Sequence, residues 1–208
     1  SAPAAARPDG PRAVARLARF VLPGAPHHVI QRGHDGAAIV RDDDDRRQWL
    51  AALREATLAH AVDVHAWLLL DDHFHLIVTP STAEALGLAL QALGRRYVPA
   101  FNRRHGRAGT LWEGRFRAAV VDAAAWLLPC MRYVESHPAR VSSPQEPGGL
   151  RWSSLPHHLG HLVDPLVRDH PRYWALGNTP FERHAAYARY LEQGASADEL
   201  AFITAATR

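Results

Sequence analysis

No lysine occurs in the 208-residue chain, so all 24 of its basic residues are arginine. That removes a Schiff-base or general-base lysine from every candidate chemistry. Cysteine is nearly as scarce. Cys130 stands alone, which excludes an internal disulfide framework and points to a reducing compartment. No apolar run approaches the ~20 residues of a membrane helix, and no secretory signal is visible. The expected setting is therefore cytoplasmic, with no membrane partner. A Walker-type phosphate loop is absent as well. What the chain has instead is 14 histidines and 47% hydrophobic residues, enough for one domain with a sizeable core. The net charge is only +3, but the pI of about 9.5 and the clustering of arginine favour a phosphate-bearing partner.

The most informative stretch is Trp67 to Thr79. Ala66–Leu70 and His73–Thr79 are two apolar runs around Asp71-Asp72. They predict a hairpin, with the acidic pair in the turn. On the returning strand His73 and His75 fall on one face, roughly 6–7 Å apart at Cα, while Phe74 and Leu76 point into a core. Two imidazoles side by side can grip one metal ion.

The remaining elements follow in order. Ser1 to Arg12 begins a disordered lead over residues 1–15. His27–Arg32 alternates as a strand and Gly33 ends it. Asp42–Asp45 opens a helix to about His60; acids suit that end of the dipole, and this run reads as a solvated cap. Ser81 or Thr82 caps a second helix to about Arg104, with Pro99 as a point of bending. Phe116–Val121 is a further strand. A helix then starts near Ala123, with Pro129 either bending it or opening it and Pro138 ending it. Ser142–Gly149 reads as a linker. Short helices follow over Leu155–Leu162, Pro165–Leu176, Thr179–Gln193 and Ala197–Ala206. Residues 16–141 are thus the expected folded domain, and 142–208 a linker and helical tail. His157, His158 and His161 read as a surface histidine patch. The order of elements is a split βαβ, ferredoxin-like pattern: an α+β fold, its antiparallel sheet carrying helices on one face.

Arg95 to Arg117 is the basic centre. Arg95, Arg96, Arg103, Arg104, Arg107, Arg115 and Arg117 stand against one acid, Glu113. Tyr97, Phe101, Trp112 and Phe116 are interleaved. Arginine forks bind phosphates and aromatic faces stack bases, so this segment predicts nucleic-acid binding.

Four ordered strings carry a family resemblance. His73-Phe74-His75 resembles the histidine–hydrophobic–histidine (HUH) motif of single-tyrosine nucleases. Pro26 to Gly33 resembles the first strand of that family. Phe101–Arg107 with Leu111–Phe116 resembles its central stretch. Arg132–Arg140 resembles its nucleophile helix, followed by Trp152-Ser153-Ser154. Over about Arg19 to Ser154 the chain resembles the REP-associated tyrosine transposases of bacteria.

The resemblance implies a metal-dependent endonuclease and strand transferase acting on single-stranded DNA. REP-type palindromes, which fold into hairpins, would be its substrate, and a 5′-phosphotyrosine its intermediate. His73 and His75 would hold Mg²⁺ or Mn²⁺, and Tyr133 would attack. Arg32, the basic centre and Trp112 would bind DNA. The setting would be the nucleoid, and the protein a monomer or homodimer. The residues agree with this chemistry. An ordinary phenol ionises near pH ~10, so it gains from orientation beside a metal-bound phosphate. Tyr133 is preferred to Tyr97 because His137 lies one turn later on the same face, as a third ligand. Two departures stand out. Asp72 replaces the usual Asn before the first histidine, and His137 replaces an Asn or Gln. Three imidazoles favour softer ions such as Mn²⁺, Co²⁺ or Zn²⁺. Two rivals remain: a catalytically silent DNA-binding regulator on the same fold, and a metal-dependent phosphohydrolase that uses water.

Overall fold

A computed structural model describes residues 20–137 and 151–207. The expected lead, the Ser142–Gly149 linker and Pro138 lie outside the described residues. Four strands form one antiparallel sheet: β1 (His27–Arg32), β2 (Val62–Leu69), β3 (His73–Pro80) and β4 (Arg117–Val120), in the spatial order β2-β3-β1-β4. This is the split βαβ order that the sequence predicts. The hairpin turns at Asp71-Asp72 as expected, and both apolar runs extend as buried strands.

The period-2 alternation splits the sheet cleanly. Val29, Phe74, Leu76 and Val78 point to one face. There they pack on α1 (Asp43–Ala59), through Trp49 and Leu53, and on α2 (Ala85–Arg104), through Leu86, Leu93, Tyr97 and Phe101. These are the helices expected on one face. The sequence reading left the second face open, and the structure covers it too. Ala66, Leu68 and Ile77 pack there on α3 (Leu127–Ser136) through Leu127, Met131 and Val134. The C-terminal segment completes that layer with α4 (Leu155–His158), α5 (Pro171–Trp174), α6 (Pro180–Glu192) and α7 (Ala197–Ala206), burying Tyr173, Tyr187 and Ile203. The helix expected over Pro165–Leu176 shrinks to α5. The Arg168 amide donates to the Val64 carbonyl at 2.7 Å and Val167 pairs with Val64, so this stretch stays extended against the edge of β2. Ser153 pairs with Leu68 on the same edge, leaving fewer open strand groups.

Local chemistry sets the helix ends. Asp42 caps α1, its carboxylate accepting the Asp44 and Asp45 amides at 3.0 Å. Thr82 Oγ1 accepts the Ala85 amide at 3.2 Å, one turn ahead of α2. Asp122 accepts the Ala124 and Ala125 amides at 2.8 and 3.1 Å, which starts a turn rather than the helix itself. Regular helix begins at Leu127, so Pro129 sits in the first turn, where its missing N–H has no intrahelical acceptor. It therefore breaks no hydrogen bond of α3. Gly33 is required by a close approach: a Cβ there would sit 2.0 Å from the Ala37 carbonyl oxygen. Its amide donates to the Asp72 carbonyl at 2.7 Å, holding the end of β1 against the hairpin tip.

Candidate metal and nucleophile site

Strand register assembles the site. Arg32 lies opposite His73 and Ile30 opposite His75, so the side chains of His28, Ile30, Arg32, His73 and His75 share the face covered by α3. That helix brings Tyr133 and His137 over the two strand histidines. Ring centroids of His137 lie 5.6 Å from His73 and 5.2 Å from His75, and Tyr133 lies 5.8 Å from His75 and 5.7 Å from His137. One ring nitrogen from each of His73, His75 and His137 lies within 4.8 Å of the other two. The three predicted ligands and the predicted nucleophile therefore converge.

Hydrogen bonds behind the rings decide which nitrogens face inward. His73 Nδ1 lies 2.6 Å from Asp72 Oδ1; a carboxylate only accepts, so the proton sits on Nδ1 and Nε2 keeps its lone pair. His75 Nδ1 lies 3.0 Å from His28 Nε2. The Nε2 atoms of His73 and His75 are both buried with no hydrogen-bond partner. Buried polar atoms are normally satisfied, and a cation is what would satisfy converging lone pairs. The donor set fits a divalent ion that accepts imidazole, with room left for water or phosphate oxygen. Burial, partly offset by Asp72, lowers the His73 pKa. Burial, with neighbouring His28 and His73, holds His75 well below the usual histidine value, and burial takes His28 down to about 4. These rings are neutral at pH 7 and keep their lone pairs. Asp72, the departure from the resembled motif, thus lies behind His73 and accepts its Nδ1 proton.

The arginines separate into two sets. Arg32 and Arg117 are exposed and on the histidine face: Arg117 lies opposite Ile30, and the Arg32 charge acts on His73 and His75. Arg95, Arg96, Arg103, Arg104 and Arg107 belong to α2 and its end, across the sheet. Within that set Arg96 pairs with Glu55. Arg104 is held by Asp42 at 2.7 Å and Asp45 at 2.5 Å, with Asp44 at 3.5 Å. The acidic run is therefore more than a solvated cap, because the buried Asp45 also accepts from His105 at 2.8 Å and ties α1 to the end of α2. Arg107 lies over the Phe101 ring at 5.6 Å, and Arg115 is exposed in the loop before β4.

The aromatic reading needs correction. Tyr97 and Phe101 are each 1% exposed and line the α2 core, so they cannot stack bases. Their i, i+4 spacing is that of a core stripe. Trp112 is half-buried, edge-on to Phe74 at 5.9 Å.

Sequence reasoning missed two features. One is His28, whose signal was an inward-facing histidine on the adjacent strand. The other is a buried polar hub. Glu135 on α3, between Tyr133 and His137 in sequence, is fully buried. It accepts from Tyr187 Oη at 2.6 Å, from His158 Nδ1 at 2.6 Å and from the Ser154 hydroxyl. His158 Nε2 lies 3.6 Å from Asp169. The expected surface histidine patch is thus mistaken for His158, which the C-terminal layer buries completely, while His161 stays exposed. His157, His158 and Asp169 have metal-like spacing, but protein groups already occupy most of their donors: His158 Nδ1 donates to Glu135, and its Nε2 faces Asp169 at ion-pair distance. His157 Nδ1 accepts the Asp164 amide at 3.1 Å, which puts its proton on Nε2, facing Asp169 at 3.2 Å.

No protein-family model matches the chain, and no curated protein does. Among solved structures, the chain is similar to a REP-associated tyrosine transposase bound to a REP hairpin, with TM-score 0.58 and 12% identity over 76% of this chain and 92% of that one. It also matches a candidate transposase from Deinococcus radiodurans r1, with TM-score 0.41 and 17% identity over 61% and 92% of the two chains. The chain has the fold of the REP-associated transposase, as the sequence resemblance implied. Among the described residues, no helix is long and apolar enough to cross a membrane.

Proposed function

We propose that the protein is a metal-dependent single-stranded DNA endonuclease and strand transferase that acts on palindromic hairpin DNA through a 5′-phosphotyrosine on Tyr133. The observation that carries this reading is the convergence of His73, His75 and His137 beneath Tyr133. The fold neighbour, bound to a REP hairpin, supports the choice of substrate. His73 Nε2, His75 Nε2 and a ring nitrogen of His137 would hold Mn²⁺ or Mg²⁺; bound there, the ion supplies Lewis-acid polarisation of the scissile phosphate.

The chain does the rest. Strands β1 and β3 fix the two histidines, and α3 fixes Tyr133 above them, so attacking oxygen and phosphorus are oriented together. The Tyr133 oxygen forms a bond to phosphorus as the phosphorus–O3′ bond breaks. The phenol proton is lost to solvent and the departing 3′ oxygen takes one up. One phosphodiester replaces another, so no nucleotide cofactor is consumed. Rejoining reverses the exchange with a new 3′-OH. Arg32 and Arg117, flanking the histidine face, would hold the strand backbone.

The test is incubation of labelled hairpin oligonucleotides with protein and Mn²⁺, read on denaturing gels. Cleavage is expected to free the upstream fragment with a 3′-OH and to leave the downstream fragment linked to protein through its 5′-phosphate. Cleavage to a free 5′-phosphate with no adduct would favour a water-using phosphohydrolase, and binding without cleavage a silent DNA binder. His73→Ala with His75→Ala should remove Mn²⁺ binding by calorimetry and abolish nicking, well beyond the ~100-fold cost of losing one supporting partner. Nicking at wild-type rate in that variant or in EDTA would refute the metal assignment.

Arginine contacts are separable by salt. Arg32→Ala with Arg117→Ala should lower the log–log salt slope of single-strand binding by about 0.7 per lost phosphate contact. Arg104→Ala should leave that slope unchanged and instead lower stability, because its partners are Asp42 and Asp45. The reverse pattern would place the DNA path along α2.

A further inference from the structure

We propose that His28 is a positioning residue for the candidate metal site: its Nε2 accepts the Nδ1–H of His75 and so holds His75 in the tautomer whose Nε2 lone pair faces His73 and His137. This rests on the metal reading above and extends it to a residue outside the ligand set.

The geometry is specific. His28 lies opposite Ile77 on the central strand pair, which makes His75 its diagonal neighbour on the same face. The two rings stack at 5.2 Å with planes 23° apart, and Nε2 and Nδ1 are 3.0 Å from each other. Both residues are 1% exposed, so water does not compete for the bond. Two neutral imidazoles share one proton across such a contact, and the direction matters. If His28 donated, the His75 proton would sit on Nε2, buried and without an acceptor. An orphaned buried N–H is rare in folded proteins. If His75 donates, Nε2 presents a lone pair, which is the form a cation needs.

His73 has the same arrangement with a different partner, Asp72 behind its Nδ1 at 2.6 Å. Each strand histidine is therefore backed at Nδ1 and open at Nε2. Such outer partners set ring orientation and tautomer in metal sites. A neutral imidazole in that role orients His75 without adding a second anion where a DNA phosphate must approach. His28 also lies edge-on to Tyr133 at 5.8 Å, so its volume helps shape the floor beneath the phenol.

Two measurements test the role without relying on turnover. Nitrogen-15 NMR of the histidine rings in the metal-free protein at neutral pH should find His75 protonated on Nδ1 in the wild type. Calorimetric titration with Mn²⁺ should show affinity falling about 10- to 100-fold in His28→Ala. Recovery to within several-fold is expected in His28→Gln, whose amide oxygen can accept the same proton. The wild-type NMR result and the Gln variant stand even if the Ala variant folds poorly. His75 protonated on Nε2 in the wild type, or Mn²⁺ binding equally tight in wild type and His28→Ala, overturns the role of His28 alone. Absence of Mn²⁺ uptake by the wild type overturns the metal reading and this inference with it.

Discussion

Tyr133→Phe is expected to bind hairpin DNA near normally and form no covalent adduct, with strand cleavage reduced on the order of 10⁴-fold or more, as when a nucleophile is removed. Only the hydroxyl is lost, so the ring contacts with His28, His75 and His137 persist. Tyr97, the alternative from sequence, is on the other face of the sheet, and its hydroxyl donates to the Ile39 carbonyl at 2.6 Å. Burial raises its pKa further, so it is neither reachable nor ionisable. Tyr97→Phe should therefore still form adduct, while losing about 1 kcal/mol from one buried hydrogen bond. Peptide mapping of trapped adduct should return the α3 peptide. Recovery of the Tyr97 peptide, or adduct at wild-type level from Tyr133→Phe, would refute the assignment.

Glu135→Ala should destabilise the protein by about 3–5 kcal/mol, the range for removing one partner of a buried charged pair. The hydroxyls of Tyr187 and Ser154 and the ring of His158 all lose their acceptor together. At this chain length such a loss lowers the melting temperature by roughly 10 °C. The same hub carries a pH signature. Burial alone would depress His158, but the carboxylates of Glu135 and Asp169 outweigh it and raise its pKa to about 9. A folded value above the unfolded one means that this stabilisation is complete below pH ~6.5 and lost as pH climbs through about 9, at ~1.4 kcal/mol per unit. Asp169 acts in the opposite direction. Burial opposes its ionisation, yet the hydrogen bond from His157 and the nearby His158 ring hold it below the usual carboxylate range, so its contribution is present above pH ~4 and fades in acid. Denaturant unfolding from pH 6 to 9.5 should show the alkaline decline in the wild type and its absence in His158→Gln. A decline of equal size in His158→Gln would assign it to other groups, and a Glu135→Ala loss below 1 kcal/mol would mean that α3 is held by its apolar face and the Arg132–Glu199 pair, without the hub.

That apolar face has company. Arg132, one residue before Tyr133, is buried, donates to both Glu199 oxygens at 2.9 and 2.8 Å, and lies 4.1 Å over the Tyr190 ring. The helix that aims Tyr133 is thus clamped from behind by the C-terminal layer.

What the sequence by itself determined is what local periodicity reaches. The two apolar runs around Asp71-Asp72 set the hairpin, and a period of two put His73 and His75 on one face. A spacing of four put Tyr133 and His137 one turn apart, on α3 and its C-terminal cap. The order of strands and helices was sufficient for the sheet topology. Periodicity says which way a side chain points from its own element, and nothing about what lies opposite. That was decided by tertiary structure. Register put His28 behind His75, and Arg32 and Arg117 on the histidine face. Nonlocal ion pairs withdrew Arg104 to Asp42 and Asp45, though in sequence it looks the same as its neighbour Arg103. The core took Tyr97 and Phe101, because an aromatic stripe on an amphipathic helix is buried wherever a sheet can cover it. Residues 151–207 placed His158 and Tyr187 around Glu135, joining parts of the chain 52 residues apart, beyond the range of any local pattern.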